Sequence, residues 1–121
     1  MAWLRRYYRM TAWVDLTADL VNGWTAASFR VMRDGDMVLV ESLSLDGSAA
    51  TSDNCVQLPA GFYVARRSFL FSTGLGSVPV QNAYTNNSGH LALPRSMATT
   101  NGYAAARSLF PVPGAPFPRG Y

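Results

Sequence analysis

The sequence predicts an all-β fold: an antiparallel, jelly-roll-like β-sandwich of seven or eight short strands. Three observations carry that prediction. Apolar-rich runs are bounded by Gly, Pro, Asn and Asp clusters at roughly ten-residue spacing, the rhythm of sandwiches and barrels. Helical periodicity is almost absent. Between Phe29 and Leu45 two apolar-rich runs flank Asp34-Gly35, and Asp-Gly is among the strongest short-range hairpin signals.

Residues 1–12 mix Trp3, Tyr7 and Tyr8 with Arg5, Arg6 and Arg9 and follow neither period 2 nor period 3.6. They read as an anchoring arm outside the core, since Trp, Tyr and Arg are the residue types enriched at binding hot spots. The alternative is a segment packed on its own domain. Trp13 to Trp24 follows, where Asn22-Gly23 marks a tight turn and Thr17 to Val21 reads as one helical turn or a loop.

The central hairpin comes next, with a type I′ turn expected at Asp34-Gly35. On its second strand Met37, Leu39, Leu43 and Leu45 share one face and Val38 and Val40 the other. Apolar side chains on both faces predict cover on both sides, from a second sheet or a neighbouring subunit. Asp46 to Asn54 is a polar loop. Cys55 to Leu58 is a strand halted by Pro59, which brings no N–H to a ladder.

Pro59-Ala60-Gly61 turns the chain into Phe62-Tyr63-Val64-Ala65, and Ser68 to Ser72 and Val78 to Tyr84 are further strands around a Gly74–Gly76 break. Asn86 to Gly89 is a turn from which His90 to Leu93 pairs back, and Tyr103 to Phe110 is the last strand. Pro111 to Tyr121 holds four of the seven prolines and reads as an extended tail, ordered only where something holds it. The domain therefore spans 13–110, between an arm (1–12) and a tail (111–121).

At 121 residues the chain is one domain's worth. It is 49% hydrophobic and only 14% charged, which excludes a disordered chain and hints that other subunits cover part of its surface. No apolar run reaches the length of a signal peptide's core or of a membrane span. The net charge of +3 comes from ten Arg scattered with no block longer than two, a weak footprint for nucleic acid.

No catalytic constellation can be assembled. His90 is the single histidine, which leaves no histidine-based zinc cluster or Ser-His-Asp triad within one chain; following a turn, it is expected to face solvent. Glu41 is the single glutamate, has no second carboxylate to work with, and is expected to pair with a nearby Arg. Asp34, Asp36, Asp46 and Asp53 are explained by turns without a calcium ion. Cys55 reads as a small buried hydrophobe. The chain is thus expected to be no enzyme and to need no cofactor or metal. Arg66, Arg67, Tyr84 and Tyr103 remain as candidate receptor or subunit contacts. Trp3, Arg5, Arg6, Tyr7, Tyr8, Arg9, Pro111, Pro113, Phe117 and Tyr121 remain as candidate partner-binding residues.

The order of motifs resembles one family. Trp13-Val-Asp-Leu is followed by Leu20-Val-Asn-Gly-Trp24 and by Phe29-Arg-Val-Met-Arg-Asp-Gly-Asp-Met-Val-Leu-Val. Then come Leu58-Pro-Ala-Gly-Phe62 with Ala65-Arg66, and Asn87-Ser-Gly-His-Leu-Ala-Leu93. The series resembles the small β-sandwich domain at the C-termini of tail and fibre-like appendage proteins of tailed bacteriophages, over roughly residues 13–110. Phe62-Tyr-Val-Ala stands where that family has Tyr-Arg-Pro-Ala, and the Arg-rich arm and Pro-rich tail are additions.

The resemblance implies a structural virion protein made in the host cytoplasm, on the tail or baseplate, contributing to host-surface recognition. It implies a homotrimer and contacts with other virion proteins and with a host surface glycan. From the scattered arginines and the lack of a span-length apolar run, neither nucleic-acid binding nor membrane insertion is expected. Alternatives are a capsid decoration protein or head fibre of the same fold, or a glycan-binding or glycan-degrading protein.

Overall fold

The computed structural model describes residues 9–69, 71–72, 84–93, 103–118 and 120–121, of which 69, 71–72 and 103–108 are described as backbone only. Nine strands run through them: β1 (Val14–Asp15), β2 (Ser28–Asp34), β3 (Met37–Leu45), β4 (Asn54–Gln57), β5 (Ser68–Phe69), β6 (Phe71–Ser72), β7 (Tyr84–Thr85), β8 (His90–Ala92) and β9 (Tyr103–Pro111). They form a five-stranded sheet, β1-β2-β3-β9-β6, and a four-stranded sheet, β4-β8-β7-β5. Every pairing is antiparallel. The predicted all-β, two-sheet architecture is the one found.

The pairs β3–β9, β4–β8 and β5–β7 are nested, as in a long hairpin folded over on itself, which is how a jelly roll is wound. The single strand expected over Ser68 to Ser72 divides: β5 belongs to the four-stranded sheet and β6 to the five-stranded one. A chain that changes sheet within a few residues makes a sandwich corner. Of the strand expected over Val78 to Tyr84, residues 78–83 lie outside the described residues, as does the Gly74–Gly76 break.

The central hairpin turns one residue later than expected. Asp34 pairs with Met37, so the loop is Gly35-Asp36 rather than Asp34-Gly35. Gly35 alone has a positive φ, 57°, which is the type II′ arrangement with glycine first. The slip spares an aspartate the left-handed region. At Asn22-Gly23 both residues are left-handed, and the Trp24 N–H closes the turn on the Val21 carbonyl at 3.1 Å. Before it, Thr17–Asp19 makes a single 3-10 turn.

The core lies between the sheets. Phe29 and Val31 of β2, Val38 and Val40 of β3 and Phe110 of β9 meet Cys55 and Val56 of β4 and Leu91 of β8. Leu58, Phe62 and Val112 close one end. Each such buried side chain contributes about 1.5–3 kcal/mol over an exposed one. The expected alternation on β3 holds as far as Leu43, which is 52% exposed, and then breaks. Ser44 has φ 54°, and Leu45 turns inward to 2% exposure instead of sharing the face of Met37 and Leu39. Cys55 is fully buried, and desolvation pushes its thiol pKa far up.

Candidate functional site

Among the described residues, several of those singled out in the sequence converge on one end of the sandwich, where β2 turns into β3 and β9 ends beside Met37. Arg33 organises it. Alternation along β2 carries Phe29 and Val31 inward and Arg33 with them, leaving its side chain 3% exposed. A buried guanidinium must satisfy its rigid fork of donors. Here Nε donates to the Gly35 carbonyl at 2.9 Å, Nη1 to Gly61 (2.8 Å) and Pro116 (2.7 Å), and Nη2 to Ala115 (2.7 Å). Asp36 stands 3.8 Å from Nη2 and is itself exposed. Burial lowers the Arg33 pKa, but arginine remains charged at any physiological pH.

This clasp answers what holds the proline-rich tail. Its own domain does. Pro111 is the last residue of β9, Val112 is buried and donates to the Asp36 carbonyl at 2.7 Å, and Pro118 is buried against Gly61. A Cβ on Gly61 would stand 2.8 Å from Pro118, and Gly61 has φ +89°, so glycine is required there twice over. Tyr121 meets the Phe62 ring edge-on at 5.4 Å.

The arm is rooted at the same place. The Thr11 N–H donates to the Arg33 carbonyl and the Arg33 N–H to the Thr11 hydroxyl, both at 2.9 Å. Gly35 donates to the Arg9 carbonyl at 2.8 Å. The Arg9 guanidinium lies 4.3 Å from the centroid of the Phe117 ring, and that of Arg33 lies 5.3 Å from it. Arm root, hairpin and tail thus share one aromatic ring between two cations.

At the turn between β7 and β8 is a polar cleft of roughly 430 Å³, lined among the described residues by Arg67, Asn86, Asn87 and Ser88. Arg67 lies over the Tyr84 ring at 4.4 Å. Asn86 builds the turn: its Oδ1 accepts from the N–H groups of Ser88 (2.9 Å) and His90 (3.0 Å). Tyr63 packs on Gly89 and links this turn to the loop gripped by Arg33. His90 does not simply face solvent as expected: it is half-buried, and its Nδ1 is enclosed without a hydrogen-bond partner.

Of the expected contact residues, Arg9, Pro111, Phe117 and Tyr121 gather at the joint, Pro113 is exposed beside it, and Arg67 and Tyr84 meet at the cleft. Arg66 is exposed in the preceding loop. Tyr103 begins β9 and pairs with Leu45 at the opposite end of the sandwich, away from the others. Trp3, Arg5, Arg6, Tyr7 and Tyr8 lie outside the described residues. Sequence reasoning passed over Arg33, although the alternation Phe29, Val31, Arg33 signals an inward cation. Glu41 has the arginine partner expected of it, Arg30, whose Nε donates at 3.1 Å.

Among the described residues no group of three His, Cys, Asp or Glu side chains could hold a metal ion. No described helix is long and apolar enough to cross a membrane. The chain matches no protein-family model, no curated protein and no solved structure.

Proposed function

We propose that this chain is a non-enzymatic structural protein of a tailed-bacteriophage virion, a tail or baseplate appendage that contributes to host-surface recognition. The order of motifs from Trp13 to Leu93 supports the viral reading by resemblance. The observation that carries the anchoring role is the joint of Arg9, Phe117 and Arg33. A preorganised root for an aromatic, arginine-rich arm lowers the ordering cost of docking that arm on another virion protein. The appendage works in several copies beside such neighbours, and no cofactor enters its role.

The cleft favours a glycan-binding role within the same reading. Arg67 on Tyr84 beside Asn86, Asn87 and Ser88 offers donors and a ring edge to a polar ligand. Gold-labelled antibody against this chain, applied to particles of the virus encoding it, tests the proposal. Label at the tail or baseplate is expected. Label on the capsid would favour a decoration protein, and unlabelled particles would remove the virion reading altogether. Shortened chains after incubation with host wall polysaccharide would overturn the non-enzymatic assignment.

A further inference from the structure

The outward face of the five-stranded sheet carries two parallel rows that the turn end does not explain. In one, Asp15 pairs with Arg30 and Arg30 with Glu41, so charge alternates in sign from strand to strand. In the next, Met32 pairs with Leu39 and Leu39 with Leu109, all half-buried. Trp13, 36% exposed, flanks both rows with its ring 4.3 Å from the Arg30 guanidinium. Leu43, further along the same face, is exposed.

We propose that this face is a self-contact. Two copies of the chain pack sheet to sheet about a two-fold axis running along the strands, between β2 and β3. The charge row selects the partner and the axis. Rotation about that axis reverses the order across strands, so Arg30 of one copy lies over Glu41 of the other, and Glu41 over Arg30. The four charges alternate in sign around a square. A two-fold axis across the strands would instead set like charges face to face, which is destabilising. A partner of a single sign would meet one member of the pair with repulsion. A second copy of this chain satisfies both.

The apolar row supplies the contact, and the charge row its register. Four strands at about 4.8 Å spacing and seven residues at about 3.4 Å give a planar patch of about 450 Å² per copy. Two such patches bury on the order of 1,000 Å², the lower bound for a specific interface. Sheet stacked on sheet is the packing already used inside the sandwich. The motif resemblance implies a three-fold assembly; the register of this face fits a two-fold one.

Sedimentation velocity on the full chain tests the pairing. The expected species has twice the 13.2 kDa chain mass at tens of micromolar, and Leu39→Glu is expected to halve it while leaving the far-ultraviolet circular dichroism unchanged. A second measurement separates contacts between chains from those within one. The double variant Arg30→Glu/Glu41→Arg keeps the ion pair between positions 30 and 41 and the complementarity of two like copies there. It sets like charges opposite Asp15 on β1 and Arg107 on β9, so it too should pair once its melt shows it folded. Mixed with the parent chain, it would set like charges opposite each other at the two central positions. Fluorescence exchange between the differently labelled proteins is therefore expected to show no mixed pairs. A monomeric or trimeric parent chain, or free mixing of the two proteins, overturns the proposal.

Discussion

Replacing Arg33 with Met removes the cation at the centre of the turn end and keeps most of its volume. Four charge-assisted hydrogen bonds disappear with it, to the carbonyls of Gly35, Gly61, Ala115 and Pro116. At about 1.5–3 kcal/mol each, their sum would be about 6–12 kcal/mol. The substitution also recovers the cost of desolvating a guanidinium, several kcal/mol. The tail carbonyls can return to water if the tail lifts, whereas those of Gly35 and Gly61 stay partly enclosed. A net loss of about 2–5 kcal/mol remains, most of it from carbonyls without donors. For a domain of this size that lowers Tm by roughly 10–20 °C. The assay is a thermal melt of four proteins: the parent chain, Arg33→Met, a chain ending at Gly114, and the two changes together. Because Ala115 and Pro116 are partners of Arg33, the combined loss should fall short of the sum by about 1–3 kcal/mol. A melt within a few degrees of the parent, or strict additivity, would refute the clasp.

Gly61→Ala should destabilise by about 1–3 kcal/mol, from the left-handed φ and the approach of Pro118, and should expose the tail to a protease active after Phe or Tyr. Cys55 should resist a thiol reagent in the folded protein and react as denaturant unfolds it, since burial both hides the sulfur and suppresses thiolate; rapid native labelling would contradict its place in the core. The carboxylates of Asp15, bonded to the Thr17 hydroxyl and N–H, and Asp46, bonded to the Ser48 N–H, both have a pKa below the ordinary 3.8. Their contribution is therefore full above pH 3.8 and lost as pH falls through the lower folded values, which carboxylate NMR titration can follow.

Much of the sandwich was legible because local chemistry and global fold agree. Asn22-Gly23, Pro59-Ala60-Gly61 and Asn86 to Gly89 each turn where their residue types demand, and β2, β3 and β4 begin and end within a residue or two of expectation. Misreadings arose where the backbone leaves the ideal pattern. Ser44 adopts a left-handed φ that few serines take, so period 2 assigned Leu45 to the wrong face. Gly35 favours the first turn position over the second, which moved the hairpin loop by one.

The site was less legible for a different reason. Arm and tail stood out by composition, but their meeting depends on a contact between Arg33 and residues 82 and 83 positions away. No local window contains it. What the sequence does contain is a contradiction: an inward strand position occupied by a charge, directly after Phe29 and Val31. A cation there must find acceptors to be tolerated, and the nearby strands have already committed their carbonyls to ladders. Acceptors remain only in loops and in a tail that proline keeps from donating in a strand. An inward arginine near a hairpin tip thus forecasts that some irregular segment folds back over that tip. The proline-rich C-terminus, with three prolines at 113, 116 and 118 and its carbonyls unclaimed by any sheet, is the segment able to do so.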